Sequence, residues 1–233
     1  MDGPSPTRSS AWQRVRRCLP GTVAVMALAG GGPSPASGQT VQALPAPRDR
    51  GSLSLEEALA RRRSQRFFAA RLLTDAEISQ LLWAASGITS KDGYHTAPSA
   101  GALYPLEWYL VTARGLAHFE PRGHRLAWIM QGDVRHALGE TALSQDAVGG
   151  APAVFVVTAV VSRTVVKYGE GRARRYVHLE AGHAAQNLLL QAVALGLGAV
   201  PVGAFHDRRV QQVLGLPDDR EPLYLIPVGA PRE

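Results

Sequence analysis

A chain of 233 residues with 45% hydrophobic content and a formal net charge of +6 can bury one substantial core and does not require a second domain. The positive excess is concentrated at the start, where Arg8, Arg14, Arg16 and Arg17 face only Asp2; the rest of the chain is too weakly basic to argue for nucleic-acid binding, and no basic run is interleaved with aromatics. The single cysteine, Cys18, excludes an internal disulfide and a cysteine-rich metal site.

Residues 1–38 read as a signal peptide. Arg14, Arg16 and Arg17 precede an apolar run from Leu19 to Ala29, and small residues follow, ending in Ala36-Ser37-Gly38. The run is too short to span a bilayer comfortably, so no stable membrane span is expected. Arg16-Arg17 followed by Leu19 loosely resembles a twin-arginine signal, and the expectation is an exported, periplasmic protein. Residues 39–53, rich in proline and alternating charge, read as a linker.

The domain is expected over 54–233. Leu55, Ala58 and Leu59 recur at helical spacing behind Ser54, a candidate N-cap, and Thr74 with Glu77 forms a capping-box pattern before Ile78, Leu81, Leu82 and Ala85. Gly93 to Pro105 is a loop by composition, and Glu107 to Thr112 reads as a strand. Short strands over 117–120 and 126–130 flank the turn-like Pro121-Arg122-Gly123-His124 and suggest a hairpin, with a helix over 133–143. Ala153 to Val161 is a continuous β-branched and apolar run, the pattern of a strand buried on both faces. A long helix is expected from about Tyr176 to Leu195, stopped by Gly196; a short strand over 200–202, a helix over 208–214 and a strand over 223–228 close the chain. Strands and helices mix without strict alternation, which predicts a single α+β layer structure with helices flanking a central sheet.

Three segments carry chemistry. Arg62, Ser64 and Arg66 set two guanidinium groups and a hydroxyl in an Arg-x-Ser-x-Arg order suited to a phosphate dianion. The nine residues from Ala97 through Pro98, Ser99, Ala100 and Gly101 to Pro105 form a loop whose small side chains let another group approach its backbone closely. The long helix, with Ala181, Ala184, Ala185, Leu188 and Leu189 as a small apolar stripe, leads into a second turn, Pro201, Val202, Gly203 and Ala204. His183 lacks a second histidine at ligand spacing, so no metal is expected; it reads as a structural hydrogen-bonding residue, and Glu180 as a helix-terminus or salt-bridge residue.

Together these segments resemble the nitroreductase superfamily, and the Pro-Ser-x-Gly-x-x-Tyr-Pro loop resembles its SagB/ThcOx dehydrogenase branch (McbC-like), over roughly residues 54 to 230. The resemblance implies a nitroreductase-like α+β fold with a central mixed sheet, and a homodimer with FMN at the interface, the helix stripe building that interface. It also implies that Arg62, Ser64 and Arg66 clamp the phosphate and ribityl chain, that Pro98, Ser99, Ala100 and Gly101 lie against the ring, and that Pro201, Val202, Gly203 and Ala204 present backbone amides to it. Gly203 stands where related enzymes commonly carry an acidic residue, and Arg232 is the one candidate for a C-terminal phosphate clamp. Lys167-Tyr168 resembles, in kind and location, a pair that supports proton removal in azoline-oxidising members, with Arg172, Arg174 and Arg175 near enough in sequence to press on the lysine. The implied activity is ping-pong hydride transfer through FMN on a carbon–nitrogen bond of a small molecule or peptide. The alternatives are a nitro or quinone reductase with NAD(P)H as a transient donor, and a flavin-binding protein without turnover.

Overall fold

The structure, a computed structural model, describes residues 40–232, so the expected signal peptide lies outside the described residues. Seven strands form one sheet: β1 (Thr40–Ala43), β2 (Leu106–Thr112), β3 (Gly115–Glu120), β4 (Arg125–Gln131), β5 (Ala153–Ala159), β6 (Gly198–Ala199) and β7 (Glu221–Gly229), in the order β1-β4-β3-β2-β5-β7-β6. Every ladder between these strands is antiparallel. The expected mixed character is reduced to a single parallel bridge, Ser64 to Ala199.

The segment expected as a linker is part of this sheet. Thr40–Ala43 pairs with β4, Leu44 is buried, the Ser79 hydroxyl donates to the Pro45 carbonyl at 2.6 Å, and Gln80 both accepts from the Arg48 N–H and donates to the Arg48 carbonyl. Four strand residues beside five prolines or charges leave little periodicity to read, but an unpaired β4 edge supplies the partner that fixes them.

Helices α1 (Leu55–Arg61) and α2 (Asp75–Ser86) each open with a complete capping box, Ser54 with Glu57 and Thr74 with Glu77. The remaining helices are α3 (Arg135–Thr141), α4 (Asp146–Gly149), α5 (Val161–Tyr168), α6 (Glu170–Ala194) and α7 (Asp207–Leu214). The alternation along the central strands divides the core. Trp108, Leu110, Phe155, Val157, Ile226 and Val228 face the α2 and α6 side, while Tyr109, Val111, Val154, Val156 and Leu225 face the side of α3, α4 and α7. Ala153–Ala159 is buried at every position, as a strand covered on both faces must be.

The helix stripe of Ala181, Ala184, Ala185, Leu188 and Leu189 belongs to the first of these cores. Small side chains there let a 25-residue helix lie close along its own sheet, so this stripe is not available to a second subunit.

Candidate active site

The end of α1 delivers the first segment. Arg62 is its C-cap, and the chain then runs extended beside β6: Ser64 bridges to Ala199, the Gln65 N–H donates to the Ala199 carbonyl at 3.1 Å, and a Cβ placed on Gly198 would stand 2.7 Å from Gln65 Cβ. Neighbouring Arg61 and Arg71 are paired with Glu57 and Glu77, but Arg62 and Arg66 pair with no carboxylate among the described residues. The C-terminal stretch returns to the same place, with the Arg232 N–H donating to the Phe67 carbonyl at 3.1 Å and Phe68 bridged to Pro231. The Arg232 backbone therefore lies opposite Phe67, one residue along from Arg66.

The glycine-rich loop is held from three sides. The Ser99 hydroxyl accepts from the Tyr104 N–H at 2.9 Å and the Ser99 carbonyl accepts from the Ala102 N–H at 3.0 Å. The Asn187 amide of α6 donates to the Thr96 carbonyl, and the Arg163 guanidinium of α5 donates to the Tyr104 carbonyl at 3.1 Å. His95 stacks flat on Tyr104 at 3.8 Å between ring centres. The backbone is correspondingly unusual: Gly101, Ala102 and Tyr104 all have positive φ, 65°, 54° and 45°. Two of these are not glycine, and conformations of this kind persist only where surrounding contacts over-determine them.

Lys167 and Tyr168 close α5 against this loop. A Cβ placed on Gly101 would lie 2.9 Å from Lys167 Nζ and 3.0 Å from the Tyr168 hydroxyl, so both functional tips meet over the one residue that leaves room for them. Arg163, four residues earlier and hence on the same side of α5 as Lys167, ties the helix to β2 through Glu107, whose carboxylate also accepts from the His118 ring at 2.6 Å. Burial pushes the Glu107 carboxyl up, but His118 and Arg163 outweigh it and hold the group below the usual carboxylate range. Of the arginines expected to press on Lys167, Arg174 is instead paired with Glu221 at 2.5 Å, which compensates its charge.

The turn after α6 divides in two. Val202 is not a free loop residue: its N–H donates to the Leu225 carbonyl at 2.8 Å, its own carbonyl accepts from the Leu225 N–H at 3.0 Å, and its side chain is buried. It has no amide left for a ring. Pro201 carries no N–H at all. Gly203 and Ala204 are exposed, and their N–H groups have no partner among the described residues, so the expected amides reduce to these two. A cavity of about 620 Å³ lies elsewhere, lined by Trp83, Lys91, Arg122 and His124 among others, and includes none of the expected site residues.

Two residues of α6 differ from expectation. His183 is exposed and makes no hydrogen bond among the described residues. Glu180 lies mid-helix, 5% exposed, in no ion pair, with Ser99 as the side chain that bears on its carboxyl. Burial raises that carboxyl to about 7, against the opposing effect of the Ser99 hydroxyl. The signal was present in the sequence, because Glu180 falls on the same helical stripe as Val177, Ala181 and Ala184, a register in which a charge is out of place.

The nitroreductase family pattern matches residues 59–230, nearly the whole described domain. The chain belongs to the nitroreductase family. A Methanocaldococcus jannaschii nitroreductase-type protein is 42% identical to it over 183 residues, 76% of this chain and 91% of that one. The crystal structure of a nitroreductase-type protein from Ralstonia eutropha superposes with a TM-score of 0.75 at 29% identity, covering 83% of this chain and 90% of the other. The microcin synthetase McbBCD complex of Escherichia coli, solved with truncated pro-MccB17 bound, shares the fold at a TM-score of 0.64 and 20% identity, over 76% of this chain and 73% of that one. In this chain the family match holds all three segments singled out above, the sheet-edge arginines, the positive-φ loop and the turn after α6.

Proposed function

We propose that this nitroreductase-family oxidoreductase is an FMN enzyme of the SagB/ThcOx type that dehydrogenates a carbon–nitrogen bond in a small molecule or peptide. The observation that carries the reading is the meeting of Lys167 Nζ and the Tyr168 hydroxyl on Gly101. When bound, FMN supplies the two-electron chemistry. The residues fit it: Arg62 and Arg66 are guanidiniums without carboxylate partners among the described residues, on a segment pinned to the sheet edge, and Ser64 adds a hydroxyl between them. Pro98, Ser99, Ala100 and Gly101 form a floor of small residues, and Gly203 and Ala204 add open N–H groups.

Removing a proton from carbon beside nitrogen requires an acceptor within hydrogen-bonding reach of it. The Lys167 amine in its neutral form takes that part, becoming the ammonium, and the Tyr168 hydroxyl, held over the same loop, donates a hydrogen bond to an electronegative atom of the substrate. Two copies of the chain complete the site, and a second copy would cover exposed apolar side chains such as Val166, 87% exposed, and Leu179, 54% exposed. Export through residues 1–38 places the enzyme in the periplasm.

Likeness to the Methanocaldococcus nitroreductase-type protein favours a second reading, reduction of a nitro group; a quinone as acceptor and NAD(P)H as transient donor belong to the same alternative. The purified protein decides between them. A flavin spectrum that releases FMN on heating and bleaches anaerobically supports an enzyme; a protein that takes up no FMN overturns both readings, and one whose flavin no donor can reduce is a flavin-binding protein without turnover. Lys167→Met and Tyr168→Phe should then abolish azoline dehydrogenation while leaving nitro reduction largely intact. Equal loss of both activities, or of neither, would refute the assignment of the pair.

A further inference from the structure

The cavity of about 620 Å³ that includes none of the expected flavin segments has no part in the reading above. Its size falls in the range of small-molecule sites, roughly 300–1,000 Å³. Three parts of the chain wall it: the stretch after β1, the end of α2 with the loop behind it, and the turn between β3 and β4. These walls are fastened to one another. The Leu44 N–H donates to the His124 carbonyl at 3.1 Å, and His124 Nε2 meets the Pro45 carbonyl at 3.1 Å and the Ser79 hydroxyl of α2 at 2.7 Å. The loop behind α2 is closed on itself, with the Thr89 N–H donating to the Tyr94 carbonyl at 2.8 Å and the Tyr94 N–H to the Ser90 hydroxyl at 3.0 Å. Bonds between and within the walls make the space preformed, as ligand sites usually are.

The lining carries charge of one sign. Lys91 lines the cavity from the loop and Arg122 from the turn, while no aspartate or glutamate lines it. Neither cation has a carboxylate partner among the described residues: Glu120, two residues before Arg122, is held by Arg125 at 2.6 Å, and Asp92 lies outside the lining. His124 belongs to the wall, its ring nitrogen committed to Pro45 and Ser79. The remaining lining includes Pro47, Ile88 and Trp83. The Trp83 ring is fixed in place by the absence of a neighbour, since a Cβ on Gly87 would stand 2.2 Å from its Cδ1. Two uncompensated cations favour an anion, which accepts charge-assisted hydrogen bonds from both. An indole with aliphatic side chains beside it favours a flat apolar body. We propose that this cavity binds a small aromatic carboxylate, its carboxylate held by Lys91 and Arg122 and its ring packed against Trp83 and Ile88.

Saturation-transfer NMR on the purified protein tests this, with naphthalene-2-carboxylate as the probe. A ligand of about 13 non-hydrogen atoms should bind with a Kd of about 1 mM or tighter. Naphthalene-2-carboxamide, which keeps the shape without the charge, should bind at least about tenfold more weakly. Lys91→Met and Arg122→Met should each cost the carboxylate about tenfold and leave the carboxamide unchanged; both side chains are exposed, so the fold does not depend on them. Trp83→Leu should weaken both ligands, and Arg62→Ala, at the expected phosphate clamp, should weaken neither. Absence of saturation transfer, equal affinity for the two ligands, or a loss in Arg62→Ala in place of the Lys91 and Arg122 variants overturns the proposal. Inorganic phosphate that displaces the probe at equal concentration also overturns it, because a bare oxyanion would then satisfy the site without a ring. No readout here involves flavin, so failure of this site leaves the FMN reading standing, and failure to bind FMN leaves this site standing.

Discussion

Gly101→Ala separates the backbone of the loop from the side chains that meet on it. At φ 65° an alanine pays the left-handed penalty of about 1–2 kcal/mol, which for a domain of this size lowers the unfolding midpoint by roughly 2–8 °C. The new methyl would also stand 2.9 Å from Lys167 Nζ and 3.0 Å from the Tyr168 hydroxyl. Carbon contacts are comfortable at about 3.5–4.0 Å, so both tips must retreat by roughly 0.5–1 Å. Because both are the free ends of side chains, this retreat adds little to the loss of stability, yet a displacement of that size at a reacting group can cost about 100-fold in turnover. Gly196 supplies the control: it has φ 71° beyond the end of α6 and open space around its Cβ position, so Gly196→Ala should match the stability loss without the functional one. Thermal unfolding and steady-state dehydrogenation measured on both variants decide the matter. If Gly101→Ala turns over as well as Gly196→Ala, Lys167 and Tyr168 do not act from where the structure puts them.

Glu180 also makes stability depend on pH. Its folded-state pKa, about 7, lies above the ordinary value of 4.5, so the native protein holds a proton that the unfolded chain releases, and stability is fully present below about pH 4.5 and lost as pH rises through 7. The difference approaches about 3 kcal/mol; urea unfolding at pH 5 and pH 8 should show that part of the slope missing from Glu180→Gln, and an identical slope in the two proteins would contradict the burial of the charge. Arg62→Ala and Arg66→Ala should each weaken FMN binding by about 10-fold or more while leaving riboflavin, which lacks the phosphate, nearly unaffected; equal losses for both ligands would remove these arginines from the phosphate. Ser54→Ala breaks the capping box that starts α1 and should destabilise the protein by about 1 kcal/mol in chemical unfolding; an unchanged stability would refute the cap.

What could be read in advance followed the strength of local signals. The two capping boxes declare themselves by residue type at fixed spacing, and β5 by an unbroken apolar run. The helix α5 was hidden because Val160, Val161, Val165 and Val166 continue that run in β-branched residues, which favour strands; what bends the chain into a helix is tertiary, the grip of Arg163 on Glu107 and the Tyr104 carbonyl. The long helix was expected to start at Tyr176 and starts at Glu170, because its first turns are arginine-rich and carry no apolar period. At the site, the motifs Arg62 to Arg66 and Pro98 to Gly101 were legible as chemistry. The pairing that removes Val202 from the free amides, and the burial of Glu180, depend on which neighbour the sheet and helix bring up, and no local pattern states that.

The bridge from Ser64 to Ala199 has a consequence for association. A two-residue outer strand such as β6 would leave a short row of open backbone groups at one margin of the sheet, as β4 would at the other without β1. Ser64 and Gln65 lie along the first margin and Thr40–Ala43 along the second, so the outer edges of the sheet are these two short stretches and not β6 and β4. The first of these is the same stretch that bears Arg62 and Arg66. A phosphate bound between those arginines pins that stretch in place, and a ligand that prefers the native state draws the population away from forms with an open margin. If the proposed FMN site is right, the apoprotein should self-associate more readily than the holoprotein, which light scattering of the two would read.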